Sequence, residues 1–347
     1  MLHELVTQRN LPPLREKGEM LSLLQREEYG FLPPPPDALT WESSTVLSNF
    51  CAGKATLERV DLTVRVGEGS FTFPAYAAVP TSEGPHPFFI HINFRDAVPD
   101  RYMPTEELID HGFAVLSFCY TDVTSDDGDF TSGLATLFYP DGVRQPSDAG
   151  KIALWAWAAH RVMDYALTDA RLDASRAIVC GHSRLGKTAL FAAATDERVA
   201  FAHSNDSGCS GASLARGKCE GGERIADICK NFPYWFCENY LRYVDREDDL
   251  PFDQHALLAC IAPRCVNVAS AAEDIWADPV GEFLCCVAAS EAYRAHGLDG
   301  IICDDRLPCV GDAYHQGHIG YHLRAGKHYF SREDWLQLIE FVRRHSC

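Results

Sequence analysis

The chain is expected to form an α/β protein: a mostly parallel central sheet with helices on both faces and an antiparallel hairpin near its N-terminal end. Three observations predict this. Strand-length apolar runs alternate with helical patterns through most of the 347 residues, the signature of repeated β-α units. The runs are nearly continuous in hydrophobicity, as strands buried on both faces require. Ahead of them, two alternating segments at 60–66 and 71–79 are joined through Gly67-Glu68-Gly69, which suits a hairpin.

Taken in order, residues 1–40 read as an extension packing on the domain. A helix-like stretch reaches Glu28 and is followed by Pro33–Pro36, a run that forces an extended path and cannot join a central strand. Residues 41–347 read as one catalytic domain. After the hairpin, strands are expected at 87–93, 113–120, 176–180, 199–204, 265–270 and 319–323. Helices are expected at 105–111, 149–167, 186–195, 280–295 and 332–344. Two excursions, 121–147 and 207–255, break the rhythm. Such sheets keep their ligand-binding surfaces in excursions at the carboxyl ends of strands.

Composition narrows the function. Hydrophobic residues make up 46% and charged residues 23% of the chain, and the net charge is −18. That charge argues against nucleic acid or an anionic membrane as partner. The first ten residues lack the basic-then-apolar layout of a secretory signal. The fourteen cysteines are scattered without zinc-ligand spacing. Small buried hydrophobes in a reducing cytoplasm is the expectation they carry. No metal or cofactor is expected.

The chemistry centres on Gly181-His182-Ser183-Arg184-Leu185-Gly186-Lys187, between an apolar strand and an alanine-rich helix. A serine on such a turn is held clear of its own backbone above the sheet, in the manner of the α/β-hydrolase fold. Flanking glycines leave room for the close strand-helix approach. The competing reading is an ordinary helix cap, since serine is a favoured N-cap residue. A serine nucleophile needs a base and an orienting carboxylate, and in this fold the chain order is serine, acid, histidine. His328, on the loop after the last strand, is the candidate base. His322 lies inside that strand, and His315 and His318 are expected on surface or loop positions. Asp274 and Asp206, each following a strand, both qualify as the acid. Glu273 and Asp278 read as solvated or capping groups. The Arg184 N–H, with its side chain, is the candidate oxyanion donor; loop 91–96 occupies the place of a second donor. Trp276 and Trp235 are candidate platforms for a sugar face.

These motifs resemble the glucuronoyl esterases, chiefly their bacterial branch. The family's nucleophile motif is met by Gly181, Ser183, Arg184, Gly186 and Lys187. The likeness runs over roughly 25–345, through 205–211, Gly222-Glu223, 232–236, 274–279 and 326–328. It implies Ser183 as nucleophile, Arg184 as oxyanion stabiliser and His328 as base, with Lys187, Glu223 and Trp276 touching the sugar. Fungal members bond a cysteine before the serine to one beside the histidine. His182 and Tyr329 stand there instead, so that disulfide is not expected. The family's usual acid after the sixth strand is glutamate, where this chain has the shorter Asp206, which favours Asp274. The expected activity is hydrolysis of (4-O-methyl-)glucuronate esters through an acyl-enzyme, the substrate being a small-molecule or oligosaccharide uronate ester. The rivals are an acetyl-carbohydrate esterase and, from another class, a non-catalytic hydrolase-fold protein that binds a carbohydrate or partner.

Overall fold

A computed structural model describes residues 1–346. Its ten strands are β1 (Ala38–Phe50), β2 (Ala55–Val66), β3 (Gly69–Pro80), β4 (His86–Asn93), β5 (Ala114–Cys119), β6 (Leu172–His182), β7 (Phe201–Asn205), β8 (Cys265–Ala271), β9 (Ala313–Tyr314) and β10 (Ile319–Arg324). They form one sheet in the order β1-β2-β3-β5-β4-β6-β7-β8-β10-β9. β1, β2 and β3 are antiparallel, and β3 pairs antiparallel with β5. From β5 through β4, β6, β7 and β8 to β10 every pairing is parallel. The chain runs from β4 outward to β5 and then crosses back to β6. Strand order therefore reverses beside β4, and in such sheets ligands bind beyond the carboxyl ends of the strands near that point.

The helices are α1 (Leu2–Thr7), α2 (Lys17–Leu24), α3 (Thr105–Asp110), α4 (Tyr120–Val123), α5 (Lys151–Ala166), α6 (Arg184–Thr195), α7 (Ile225–Asn231), α8 (His255–Ala259), α9 (Pro279–Ala295) and α10 (Arg332–His345). They divide between the faces. α5, α6, α8 and α9 enclose the larger core with Leu154, Trp155, Phe191, Leu257 and Phe283. α3 and α10 cover the other face, where Phe89, Leu108, Phe113, Trp335 and Leu338 pack together. α5 is hydrophobic nearly all round, as a helix buried between sheet and outer helices must be.

Two elements differ from expectation. The N-terminal helical stretch is broken: α1 and α2 are separated by a segment containing Pro12-Pro13, and α2 continues into a π-turn over Gln25–Tyr29. A proline cannot donate to the preceding helical turn, so one continuous helix is ruled out. β1 is an additional edge strand that hydrophobic pattern did not reveal, because nearly all of its residues are exposed. The path after the π-turn is extended as the prolines dictate. Trp157 Nε1 donates to the Pro34 carbonyl at 3.0 Å, and Tyr29 stacks on Phe191 with centroids 4.2 Å apart.

Candidate active site

Ser183 follows β6 directly and precedes α6. Its backbone sits at φ +58°, ψ −129°, and its hydroxyl makes no capping bond. A non-glycine residue at positive φ costs energy that the surroundings must hold in place. Here the Ser183 N–H donates to the Asn205 carbonyl at 2.8 Å, and the Ser183 carbonyl accepts the Gly186 and Lys187 N–H groups. The flanking glycine is obligatory: a Cβ on Gly181 would stand 2.2 Å from the Leu185 carbonyl oxygen. The helix-cap reading of Ser183 is thereby replaced by a hydroxyl presented outward at the head of α6.

That hydroxyl lines a cavity of about 350 Å³ with Arg184, Lys187, Asp206, Glu223, Trp235, Asp274, Trp276 and His328, closed by Ser207, Gly208, Phe232 and Ala277. Residues from six separate stretches of sequence converge there. His328, 43% exposed, bonds through Nδ1 to Asp274 Oδ2 at 2.6 Å. With Asp274 accepting, Nδ1 carries the proton and Nε2 presents a lone pair. Asp206 also borders the cavity, but its oxygens are spent elsewhere. Oδ1 accepts the Ala271 N–H at 2.8 Å, and Oδ2 accepts from Arg324 at 3.1 Å and from the Tyr329 N–H at 3.4 Å. Of the two candidate acids, Asp274 is the one that reaches the imidazole.

Arg324 organises the histidine loop. It donates to both oxygens of Asp334, to Asp206, and to the carbonyls of Ala325, Lys327 and Tyr329. The loop carrying His328 is thus wrapped round a buried guanidinium. His182 supports the imidazole from the other side, with ring centroids 4.4 Å apart. Its Nδ1 bonds Asn205 Oδ1 at 2.6 Å. Burial, then the neighbouring His328, push its pKa down to about 3, so His182 packs there as a neutral ring. The positions that carry the fungal disulfide are joined by aromatic contact instead: Tyr102 lies 5.5 Å from His182 and 4.6 Å from Tyr329.

Lys187 is buried. Its Nζ donates to the Ser207 and Cys209 carbonyls, both at 2.5 Å, and lies 3.3 Å from Glu223 Oε2. The 207–209 turn is in turn fixed by Glu282, which accepts the Gly208 N–H at 2.9 Å and the Ser270 hydroxyl. Burial raises the Glu282 carboxyl to about 7. The Arg184 guanidinium lies over the Trp235 ring at 4.6 Å and the Phe232 ring at 5.2 Å, and ion-pairs with Asp126. Trp235 is buried, stacked on Phe232 at 3.9 Å. Trp276 is 49% exposed at the rim. Phe232 and Trp235 come from the 207–255 excursion and Asp126 from 121–147.

Asp278 caps α9, accepting the Gly281 N–H, and is fully buried, while Glu273 is exposed. His322 is buried in β10 against Asp334 at 2.9 Å. His315 lies on the loop after β9, as expected, but is not at the surface: α10 covers it, and its Nε2 pairs with Gln337 Oε1 at 2.7 Å. None of residues 91–96 lines the cavity; Arg95 pairs with Asp100 instead. Asp126, Arg324 and Glu282 are neighbours of the site that no local motif marks, and His182, inside the serine motif, reads in the sequence only as a missing cysteine. Only the acidic run at 126–129 hints at one of them.

Comparison with known proteins agrees with this geometry. The family model described as glucuronyl esterase of fungi matches residues 62–297. A carbohydrate esterase, MZ0003, from an unknown prokaryotic organism is 41% identical over 242 residues, 69% of this chain and 55% of its own length. A 4-O-methyl-glucuronoyl methylesterase of Podospora anserina is 28% identical over 291 residues, 80% of this chain and 55% of its own. The chain thus spans about half the length of these curated relatives. A solved glucuronoyl esterase from Solibacter usitatus superposes with a TM-score of 0.87 at 32% identity, covering 95% of this chain and 92% of that one. With a matching family model over most of the sheet, a relative above 40% identity, and a serine, aspartate and histidine gathered beyond the carboxyl ends of β6, β8 and β10, the chain belongs to the glucuronoyl esterase family and has the α/β-hydrolase fold.

Proposed function

We propose that this protein hydrolyses carboxylic esters of glucuronic or 4-O-methyl-glucuronic acid through an acyl-enzyme on Ser183. The observation that carries the reading is one cavity holding the strained Ser183, the His328–Asp274 pair at 2.6 Å, and Lys187 and Glu223 beside Trp276. In the first half-reaction His328 Nε2 takes the Ser183 proton as Oγ attacks the uronoyl carbonyl. The negative charge passes to the carbonyl oxygen, next to the first N–H of α6 and the Arg184 guanidinium. A helix's leading N–H groups have no intrahelical acceptor, and donors already in place need no reorganisation as charge develops. The imidazolium, held by Asp274, then protonates the leaving alcohol. Water repeats the sequence on the acyl-enzyme and releases the uronic acid. Lys187 and Glu223 offer a donor and an acceptor to the ring hydroxyls, and Trp276 an apolar face.

The test is an assay of methyl and benzyl glucuronate esters beside acetylated xylan and p-nitrophenyl acetate. Turnover of the uronate esters, abolished by Ser183→Ala, is the expected result. Turnover of acetyl esters alone would transfer the site to the acetyl-carbohydrate esterases. Failure of a fluorophosphonate to label Ser183 would reduce the protein to a binding module.

A further inference from the structure

We infer that the pocket selects the uncharged ester over its own carboxylate product by pairing every cation that lines it, and that Asp126 is the residue that does this for Arg184. The inference rests on the reading above. Two cationic side chains other than His328 line the cavity among the described residues, Arg184 and Lys187. Lys187 has Glu223 at 3.3 Å. Arg184 has Asp126, whose two carboxylate oxygens are divided between tasks: Oδ2 accepts from Arg184 and from the Tyr120 hydroxyl at 2.9 Å, and Oδ1 accepts Trp235 Nε1 at 2.7 Å. The Asp126 carbonyl takes the Tyr234 hydroxyl at 2.8 Å. Asp206, the remaining acid on the wall beside Asp274, is bound by Arg324.

The consequence is electrostatic. A carboxylate entering the pocket meets no cation lacking a counter-ion, and meets Asp274 unneutralised whenever His328 is neutral. An ester carries no charge and escapes that penalty. Arg184 can still hydrogen-bond an oxyanion that forms transiently, since the guanidinium has five N–H donors and Asp126 takes up only Nη1. Asp126 therefore has a positioning role, holding the guanidinium over the indole, and a specificity role, cancelling the charge that would otherwise retain product. A structural role alone would predict weaker binding of every ligand when Asp126 is altered; the charge role predicts tighter binding of anions.

The experiment measures inhibition of methyl glucuronate hydrolysis by glucuronate and by its neutral isostere glucuronamide. In the unaltered protein glucuronamide should bind at least as tightly as glucuronate. Asp126→Asn keeps the shape of the side chain and should lower the glucuronate inhibition constant about tenfold, while glucuronamide moves less than about threefold. The same variant should lower kcat by about tenfold or more as Arg184 loses its anchor, with Asp126→Glu restoring much of the original selectivity. Glucuronate binding that is unchanged or weaker in Asp126→Asn, or glucuronate binding several-fold tighter than glucuronamide in the unaltered protein, would overturn the inference. The second comparison needs no variant. Titration of tryptophan fluorescence with the two ligands gives the same ratios without turnover, so a failure of the esterase reading stays distinguishable.

Discussion

His328 and Asp274 lie 54 residues apart in sequence yet meet at 2.6 Å, and that contact fixes which imidazole nitrogen is left open to the cavity that Ser183 lines. Replacing Asp274 by Asn keeps the shape but turns an acceptor into a group that can donate to Nδ1, favouring the wrong tautomer. The expected loss in kcat is on the order of 10³–10⁴-fold, with KM for methyl glucuronate nearly unchanged. Asp206→Asn should behave differently. It removes one of the two carboxylates on the buried Arg324 guanidinium, so its main cost is stability, about 2–4 kcal/mol by thermal unfolding, with a far smaller loss in kcat. If Asp206→Asn matched Asp274→Asn in kcat at equal stability, the two acids would share the role. The serine, histidine and both candidate acids are legible in the sequence because turn glycines and chain order mark them. The choice between the acids is not. It depends on Arg324, 118 residues from Asp206, which binds one of them and leaves the other free for the imidazole. Asp126 is hidden for the same reason: its partners Arg184 and Trp235 stand 58 and 109 residues away.

At the level of elements, the β6–Ser183–α6 junction has almost no slack. Gly181→Ala would drive a Cβ to 2.2 Å from the Leu185 carbonyl oxygen and 3.0 Å from the Gly186 nitrogen. Both are backbone atoms, so the first turn of α6 must move. The predicted stability cost is about 1–3 kcal/mol, as for other overpacked sites. Activity should suffer more, falling at least about 10²-fold, because displacing a nucleophile by a fraction of an ångström is expensive. Unfolding temperature and kcat measured on one preparation check the contrast; equal kcat would mean that the junction relaxes elsewhere. The parallel strands β4 to β8 and β10 are readable as continuous apolar runs because both of their faces are covered. β1 is unreadable for the converse reason. Trp41-Glu42-Ser43-Ser44-Thr45 carries no buried face, and its strand conformation comes from pairing with β2, Ala38 to Arg65 through Phe50 to Ala55. Its stability lies in a neighbour's hydrogen bonds more than in its own side chains, of which Leu39, Trp41 and Phe50 pack on the protein.

For the molecule as a whole, the buried ionisable groups fix how stability responds to pH, and two sets of them pull in opposite directions. Burial pushes His91, His182 and His203 down to about 3. An unfolded histidine titrates near 6.5, so between those limits the unfolded chain binds more protons than the folded one, and stability rises with pH until about 6.5. Glu28 and Glu282 are the reverse case. Burial raises them to about 8 and about 7, so above the ordinary glutamate value the folded state holds protons that the unfolded chain has released. Their contribution is fully present at low pH and is lost as pH climbs to those values. The histidine term prevails below about 6.5 because its members outnumber the acids that burial raises, Glu28, Glu282, Asp122 and Asp206, and include further buried rings at 160, 255 and 315. From about 6.5 toward 8 the raised acids carry the titration, before Lys151, which burial lowers to about 8, and the thiols enter. Stability is therefore expected to peak between about pH 6 and 7 and to decline toward pH 8. Glu28→Gln isolates the alkaline limb: Gln254 Nε2 now donates to both Glu28 oxygens at 3.0 Å, and an amide at 28 still offers one acceptor. From pH 6.5 to 8 the Glu28 share of the decline is at most about 2 kcal/mol, at 1.36 kcal/mol per pH unit. Calorimetric unfolding across pH 5–9 should show that decline reduced in the variant, with the acid limb unchanged. An alkaline limb of equal steepness in both proteins would mean that Glu28 is ionised in the folded state.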